Sequence, residues 1–160
     1  MKPATRGEKS MVTCIRALAL LIVVLLGSAS SAMAQKPADT LRRWGLLGTW
    51  ALDCSKPASG SNGYLSYVAD TEGKVMHNRD FGDRRDVNAV EQARTGRGGM
   101  LELTVNFPGM SQTRKYTMMM GADGRIRATA NSKADGTEPS IKDGKFTSNG
   151  NDTPWQARCR

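Results

Sequence analysis

The sequence predicts an all-β fold, an antiparallel meander of about eight strands that closes into a small barrel behind a short N-terminal helix. Segments with alternating apolar and polar residues recur through residues 48–159, and glycine-rich turns separate them roughly every 8–14 residues. No segment requires a helix longer than about two turns. Two cysteines near the ends of this stretch could join the first element to the last, and closure of the sheet would remove exposed strand edges.

Residues 1–34 have the pattern of a secretory signal peptide. Basic residues fill the start, residues 17–26 are uncharged and apolar, and the A-x-A of residues 32–34 offers cleavage after Ala34. The apolar run is about half of the ~20 residues that a membrane-spanning helix needs. We therefore expect export to the periplasm or the medium, with no transmembrane anchor after processing. The predicted organisation is a signal peptide (1–34), a lead with the short helix (35–47) and a β domain (48–160).

Charge and composition narrow the classes of partner. Removing the four basic residues and one acidic residue of the signal lowers the net charge from +8 to +5. At this charge we expect no nucleic acid partner for an exported protein, whereas an envelope protein or a lipid surface stays open. The chain has one histidine, His77, which excludes a metal site built from several histidines. We expect no metal and no cofactor.

Cys54 and Cys159 remain as an even pair after cleavage, which predicts a disulfide in an oxidising compartment. The bond would close a loop of about 105 residues, worth ~4.7 kcal/mol in the chain-entropy description. No C-x-x-C motif is present, so a structural role is favoured over a redox-active one.

The helix comes first in the predicted order of elements. Asp39 or Thr40 can cap it, and Gly48 ends it. A strand over residues 49–54 follows, whose alternation places Trp50 on one face with every second residue. A loop rich in turn-forming residues then leads to the next strand.

Two further strands, residues 64–69 and 74–81, are predicted to pair, because the loop between them (DTEG, 70–73) has the glycine that a tight hairpin requires. Residues 87–94 are ambiguous. Their apolar residues fit helical spacing in part and strand alternation in part, and the surrounding strands favour a strand.

The second half of the chain is predicted to continue the meander. Residues 101–107 form the clearest half-buried strand, since four apolar residues alternate with polar ones. Asp143-Gly144 is a strong two-residue hairpin signal. The remaining predicted strands cover residues 112–120, 125–131, the two sides of 140–147, and 155–159.

Gly48-Thr49-Trp50, which opens the first strand after the helix, resembles the G-x-W signature of lipocalins and related calycin barrels. The likeness covers residues 41–52, and the family's second motif, T-D-Y, is absent. The resemblance implies an up-and-down barrel of eight strands, whose closed end is plugged by Trp50, often beneath an arginine, and whose mouth takes a small apolar ligand. The small one-disulfide barrels of bacterial periplasmic metalloprotease inhibitors are similar in size.

Catalytic and metal signals in the sequence are sparse. His77 would need a serine and an aspartate brought to it by the fold, and the G-x-S-x-G elbow is missing. We expect a solvent-facing strand histidine and no enzyme activity. The aspartates Asp80, Asp83 and Asp86 lack the order of a calcium loop. The glycine-rich residues 96–99 lack the Lys and Ser/Thr of a phosphate loop, which favours a hairpin tip.

Two clusters have more than one interpretation. A group of arginines could contact lipid phosphate, although neighbouring acidic residues favour an ordinary solvated face. Its members are Arg79, Arg84, Arg85, Arg94 and Arg97. Met118 and Met120 share a strand face while Met119 points away. Thioethers can bind copper(I) or line an adaptable apolar pocket, and core packing is the favoured interpretation.

The sequence thus predicts an exported, non-enzymatic protein that binds a small apolar or amphipathic ligand inside a lipocalin-like barrel. Seven residues are expected to line the pocket: Trp50, Leu52, Tyr67, Leu103, Val105, Tyr116 and Met118. The alternative is a protein-interaction module, such as a periplasmic protease inhibitor or an envelope assembly factor. A ligand-sized interior would favour the first function, and a packed interior with a large apolar surface patch the second.

Overall fold

The computed structural model describes residues 35–159, so the predicted signal peptide lies outside the described residues. Within that range, no helix has the length and apolar character of a membrane span. The elements are α1 (Pro37–Trp44), β1 (Gly48–Ala51), β2 (Tyr64–Ala69), β3 (Val75–Asp80), β4 (Arg85–Thr95), β5 (Leu101–Phe107), β6 (Gln112–Met120), β7 (Ile126–Lys133), β8 (Ile141–Lys142), β9 (Lys145–Phe146) and β10 (Ala157–Cys159).

One antiparallel sheet contains these strands, in the order β10-β1-β2-β3-β4-β5-β6-β7-β8-β9. The predicted antiparallel meander with a short N-terminal helix is therefore confirmed. Strand pairing leaves β10 and β9 as edges, so it does not close the sheet. Ile126 of β7 and Gln156, next to β10, exchange two backbone hydrogen bonds with N–O distances of 3.0 and 2.8 Å. The first and seventh strands of the meander are thus linked at one point through the C-terminal segment.

The disulfide between Cys54 and Cys159 is formed, as predicted, with a Cα–Cα distance of 5.4 Å. Cys159 pairs with Thr49 in the β1–β10 ladder, and Cys54 follows the end of β1. The bond therefore fastens the C-terminal strand beside the first strand. Such a bond fits folding in an oxidising, extracytoplasmic compartment.

The N-terminal elements differ from the prediction at their ends. α1 begins at Pro37, before Asp39, because proline suits the first helical position. It ends at Trp44, and Gly45, with a left-handed φ of 92°, forms the C-cap. β1 stops at Ala51 rather than extending to Cys54. Asp53 explains the early end, since its backbone N–H and its carboxylate bond to loop residues instead of the ladder.

The ambiguous segment 87–94 lies within β4, and a bulge explains its mixed pattern. The register shifts between Val90 and Gln92, so an extra residue is inserted opposite β5. Val90 is buried and Ala93 packs against the same core, although they are three residues apart. The helical spacing in the sequence is therefore the spacing of a bulged strand.

The core lies on the inner face of the sheet and continues under α1. Leu41 and Leu46 are fully buried, and the indole Nε1 of Trp50 donates to the Leu46 carbonyl at 2.8 Å. From the strands, the inward residues of β5 supply the largest share of the core: Leu101, Leu103, Val105 and Phe107. Their strict alternation along β5 confirms the clearest strand predicted from the sequence.

Candidate functional site

A cavity of about 350 Å³ opens on the inner face of the sheet. It lies between β2, β3, β6 and β7 and the loops that precede β2 and β10. Much of its wall is apolar, and the main apolar side chains are Leu52, Leu65, Phe81, Met118, Ile141 and Phe146. Four longer polar side chains converge on the same space: Tyr67, His77, Arg79 and Tyr116. An apolar wall with a few convergent polar groups is typical of a small-molecule site.

The structure places four of the seven expected pocket residues at this cavity: Leu52, Tyr67, Tyr116 and Met118. The other three, Trp50, Leu103 and Val105, are buried in the core and lie outside the cavity lining. Alternation identifies which side chains point inward, but it carries no information about their depth along the strand. The sequence therefore could not separate inward residues that line the cavity from inward residues that fill the core.

His77 is buried rather than solvent-facing, so the expectation for this residue is wrong. It is 3% exposed, and it alternates with Val75 on the inner face of β3. Its ring stacks on Tyr67 with a centroid distance of 4.5 Å and meets Phe107 edge-on at 6.3 Å. The register that pairs Tyr67 with His77 turns both side chains inward together.

The imidazole of His77 is neutral and incompletely bonded. Burial, with a smaller contribution from the positive charge of Arg79, lowers the pKa of His77 to about 3. The Nδ1 atom is buried and has no hydrogen-bond partner within the described residues. A buried polar atom without a partner is unusual, because its desolvation is left uncompensated. The Nδ1 atom is therefore an unpaired polar atom enclosed by the fold.

Arg79, next along the inner face of β3, forms a two-point ion pair with Asp86 of β4. Arg79 Nε donates to Asp86 Oδ1 at 2.8 Å, and Nη2 donates to Oδ2. The guanidinium carbon lies 4.5 Å from the ring centroid of Phe107. Asn88 Nδ2 supports the pair by donating to the same Oδ1 at 2.6 Å. The hydrogen bond from Arg79 lowers the pKa of Asp86, so the carboxylate stays ionised.

The two tyrosines keep their phenolic protons. Burial raises the pKa of Tyr67 and of Tyr116 above the ordinary value. Both hydroxyls are therefore available as hydrogen-bond donors over the whole physiological range.

The other arginines of the predicted cluster lie outside the cavity. Arg85 pairs with Asp80 at 2.9 Å, Arg84 lies 3.9 Å from Asp83, and Arg94 bonds Glu102 through Nε at 2.7 Å. All three side chains are more than 70% exposed. They form solvated ion pairs, whereas Arg79 is 19% exposed and belongs to the interior.

The methionines do not gather into one site. Met118 is buried at the cavity wall and pairs with Leu101, whereas Met110 lies in the turn at the other end of β5. Met120 is 38% exposed. Within residues 35–159, no group of three or more His, Cys, Asp and Glu side chains is placed to hold a metal.

Sequence reasoning missed the contributions of Arg79, Phe81 and Phe146 to the cavity. For Arg79 a signal existed, since it occupies every second position with Val75 and His77 along β3. Comparison with protein-family models, with curated proteins and with solved structures gives no match to this chain.

Proposed function

We propose that the protein is exported and binds a small, mainly apolar molecule in the cavity between β2, β3, β6 and β7. The observation that carries this proposal is a ligand-sized space on the inner face, where a purely structural sheet would be filled by side chains. Its volume of about 350 Å³ falls at the lower end of the ~300–1,000 Å³ range of ligand pockets. The ligand is therefore a small one.

The polar side chains of the cavity wall also support a bound molecule. Tyr67, His77 and Arg79 converge with Tyr116 on a space that is otherwise largely apolar, and a few such groups can orient a small ligand. The Tyr67–His77 stack and the Arg79–Asp86 ion pair fix the positions of these cavity-lining side chains. The cavity is thereby prearranged rather than formed on binding.

A lipocalin-like barrel is the proposed architecture. The Ile126–Gln156 bonds would complete a ring of seven meander strands and the C-terminal strand. Arg158 lies over Trp50, with its guanidinium carbon 5.9 Å from the indole centroid, and its Nη2 donates to the Leu47 carbonyl at 2.6 Å. A tryptophan beneath an arginine is the arrangement that the resemblance to lipocalins implies.

The proposal of export is supported by the sequence pattern of residues 1–34 and by the disulfide. Cleavage after Ala34 would release a chain beginning at Gln35, and the Cys54–Cys159 bond would form outside the cytoplasm. The proposed location is the periplasm or the medium.

Native mass spectrometry of the protein purified from its own envelope fraction tests the proposal. We expect a chain starting at Gln35, a deficit of two hydrogens from the disulfide, and an added mass that leaves on denaturation. A chain starting near Met1 would contradict export.

Two bulky substitutions locate the bound molecule. Ala128 lines the cavity, so Ala128→Phe should fill it and abolish the added mass. Val87, 57% exposed on β4, offers the matched control, because Val87→Phe adds an aromatic ring outside the cavity. Equal retention of the added mass by both folded variants would contradict binding at this site.

The alternative is a non-enzymatic protein-interaction module, such as a periplasmic protease inhibitor or an envelope assembly factor. A purified protein without added mass, which co-purifies with a stoichiometric protein partner, would favour this function. We propose no enzyme activity in either case, so His77→Ala should alter ligand retention without removing a reaction.

A further inference from the structure

Arg79 lines the cavity, and its ion pair with Asp86 uses only one edge of the guanidinium. Asp86 takes the edge formed by Nε and Nη2, and the planar group has five N–H donors in all. The Nη1 hydrogens are therefore left for a second acceptor. The Arg79 side chain is 19% exposed and lines the cavity, so the cavity gives a second acceptor a route to this residue.

Arg79 acts on the polar side chains of the cavity wall more strongly than the Asp86 carboxylate does. Burial dominates the pKa shifts of Tyr67, His77 and Tyr116, but each also responds to nearby charge. The charge of Arg79 shifts the pKa of His77 and of Tyr116 more strongly than the charge of Asp86 does. At Tyr67, the ionised residue that shifts the pKa is Arg79. Asp86 therefore only partly offsets the charge of Arg79 where a ligand would sit.

The neutral polar groups around Arg79 are also suited to an acceptor. The hydroxyls of Tyr67 and Tyr116 keep their protons, and neutral His77 carries one N–H. These residues and Arg79 line the same space as the apolar side chains of Met118 and Ile141. The cavity therefore has a donor-rich positive side and an apolar side.

We propose that the ligand is an amphipathic organic acid, whose carboxylate binds the free edge of Arg79 among Tyr67, His77 and Tyr116. Its apolar body lies against Met118, Ile141 and the neighbouring apolar wall. This inference rests on the proposed function and specifies the chemical class of its ligand. Charge-assisted hydrogen bonds in a partly dry cavity are stronger than neutral ones, so the acid is preferred over an uncharged analogue.

The test uses three compounds with the same ten-carbon body: decanoate, 1-decanol and decylamine. Their affinities are measured by isothermal titration calorimetry at neutral pH, with the protein expressed from its full reading frame and purified from the periplasm. We expect decanoate to bind about 10- to 100-fold more tightly than 1-decanol, the range for a hydrogen bond to a charged group. Decylamine should bind most weakly, because it brings a cation to Arg79.

Substitutions in the Arg79–Asp86 ion pair should change the affinity for decanoate in opposite directions. Asp86→Asn removes the carboxylate that competes with the ligand, so decanoate should bind several-fold more tightly than to the wild type. The double variant Arg79→Gln/Asp86→Asn removes both charges, and decanoate should lose its preference over 1-decanol. The exposed pair Arg94–Glu102 on the neighbouring strands provides the matched control. Arg94→Gln/Glu102→Gln should leave all three affinities within about twofold.

The outcomes separate this inference from the function on which it rests. Binding of none of the three compounds would count against the small-ligand function itself. Binding of all three with similar affinity, or tightest binding of decylamine, would keep that function and overturn the choice of an acid. Thermal unfolding confirms that each variant is folded, and the wild-type series decides the question if Asp86→Asn does not fold.

Discussion

The buried histidine makes the stability of this protein fall as the pH drops below about 6.5, before most carboxylates begin to take up protons. His77 is the sole histidine of the chain, and burial lowers its pKa to about 3 in the folded state. In the unfolded chain its pKa returns to about 6.5. As the pH falls below 6.5, the unfolded chain binds a proton that the folded chain does not. Acidification therefore destabilises the fold, and the loss continues until the pH approaches 3.

The size of the effect follows from the two pKa values. Between pH 7.5 and pH 4.5 the histidine should reduce the free energy of unfolding by about 2.6 kcal/mol, since each full unit is worth ~1.4 kcal/mol. For a domain of this length that corresponds to a fall in Tm of roughly 10 °C. The carboxylate of Asp86 has a lowered pKa, so its own contribution is lost below this window as the pH falls through the folded pKa.

His77→Phe supplies the comparison, because phenylalanine can stack on Tyr67 and cannot titrate. Urea unfolding followed by circular dichroism at pH 7.5, 6.0 and 4.5 should give a steep profile for the wild type and a flatter one for the variant. Parallel profiles would refute the reasoning, as would a folded-state imidazole NMR signal that titrates near pH 6.5. Either result would mean that water or a charge reaches the ring.

Two further predictions concern the disulfide and the buried hydrogen bond of Trp50. Cys54→Ser/Cys159→Ser opens a crosslink with a sequence separation of 105 and should lower the free energy of unfolding by up to about 4.7 kcal/mol; a reductant should destabilise the wild type and leave this variant unchanged in thermal unfolding. Trp50→Phe removes the buried bond to the Leu46 carbonyl and should cost about 1–3 kcal/mol in urea unfolding; a loss below ~0.5 kcal/mol would mean that water replaces the indole.

The strands of the meander could be predicted because their evidence is local. The limits of β2, β5 and β6 agree with the predicted ranges, since alternation and turn residues act over a few positions. The β4 segment could not be assigned with the same rule. Its bulge depends on the register with β5, which the sequence of β4 alone does not contain.

The disulfide was also predictable, because residues 35–160 contain two cysteines, which leave one pairing. The candidate site was predictable only in part. Tyr67, Tyr116 and Met118 are inward residues that happen to lie at the cavity, whereas Leu103 is an inward residue that fills the core. These residues differ in their position along the strand relative to the neighbouring strands. That position depends on how the strands pair, which the alternation of apolar and polar residues does not show.

The sequence by itself determined the class of fold and the bond that holds the last strand beside the first. These depend on hydrophobic periodicity, turn chemistry and cysteine number, which are read along the chain. Only the tertiary structure decided that His77 is buried on Tyr67 and that Arg79 lines a cavity. Both depend on the register between β2, β3 and β4, because a shift of one residue would move every one of these side chains to the other face.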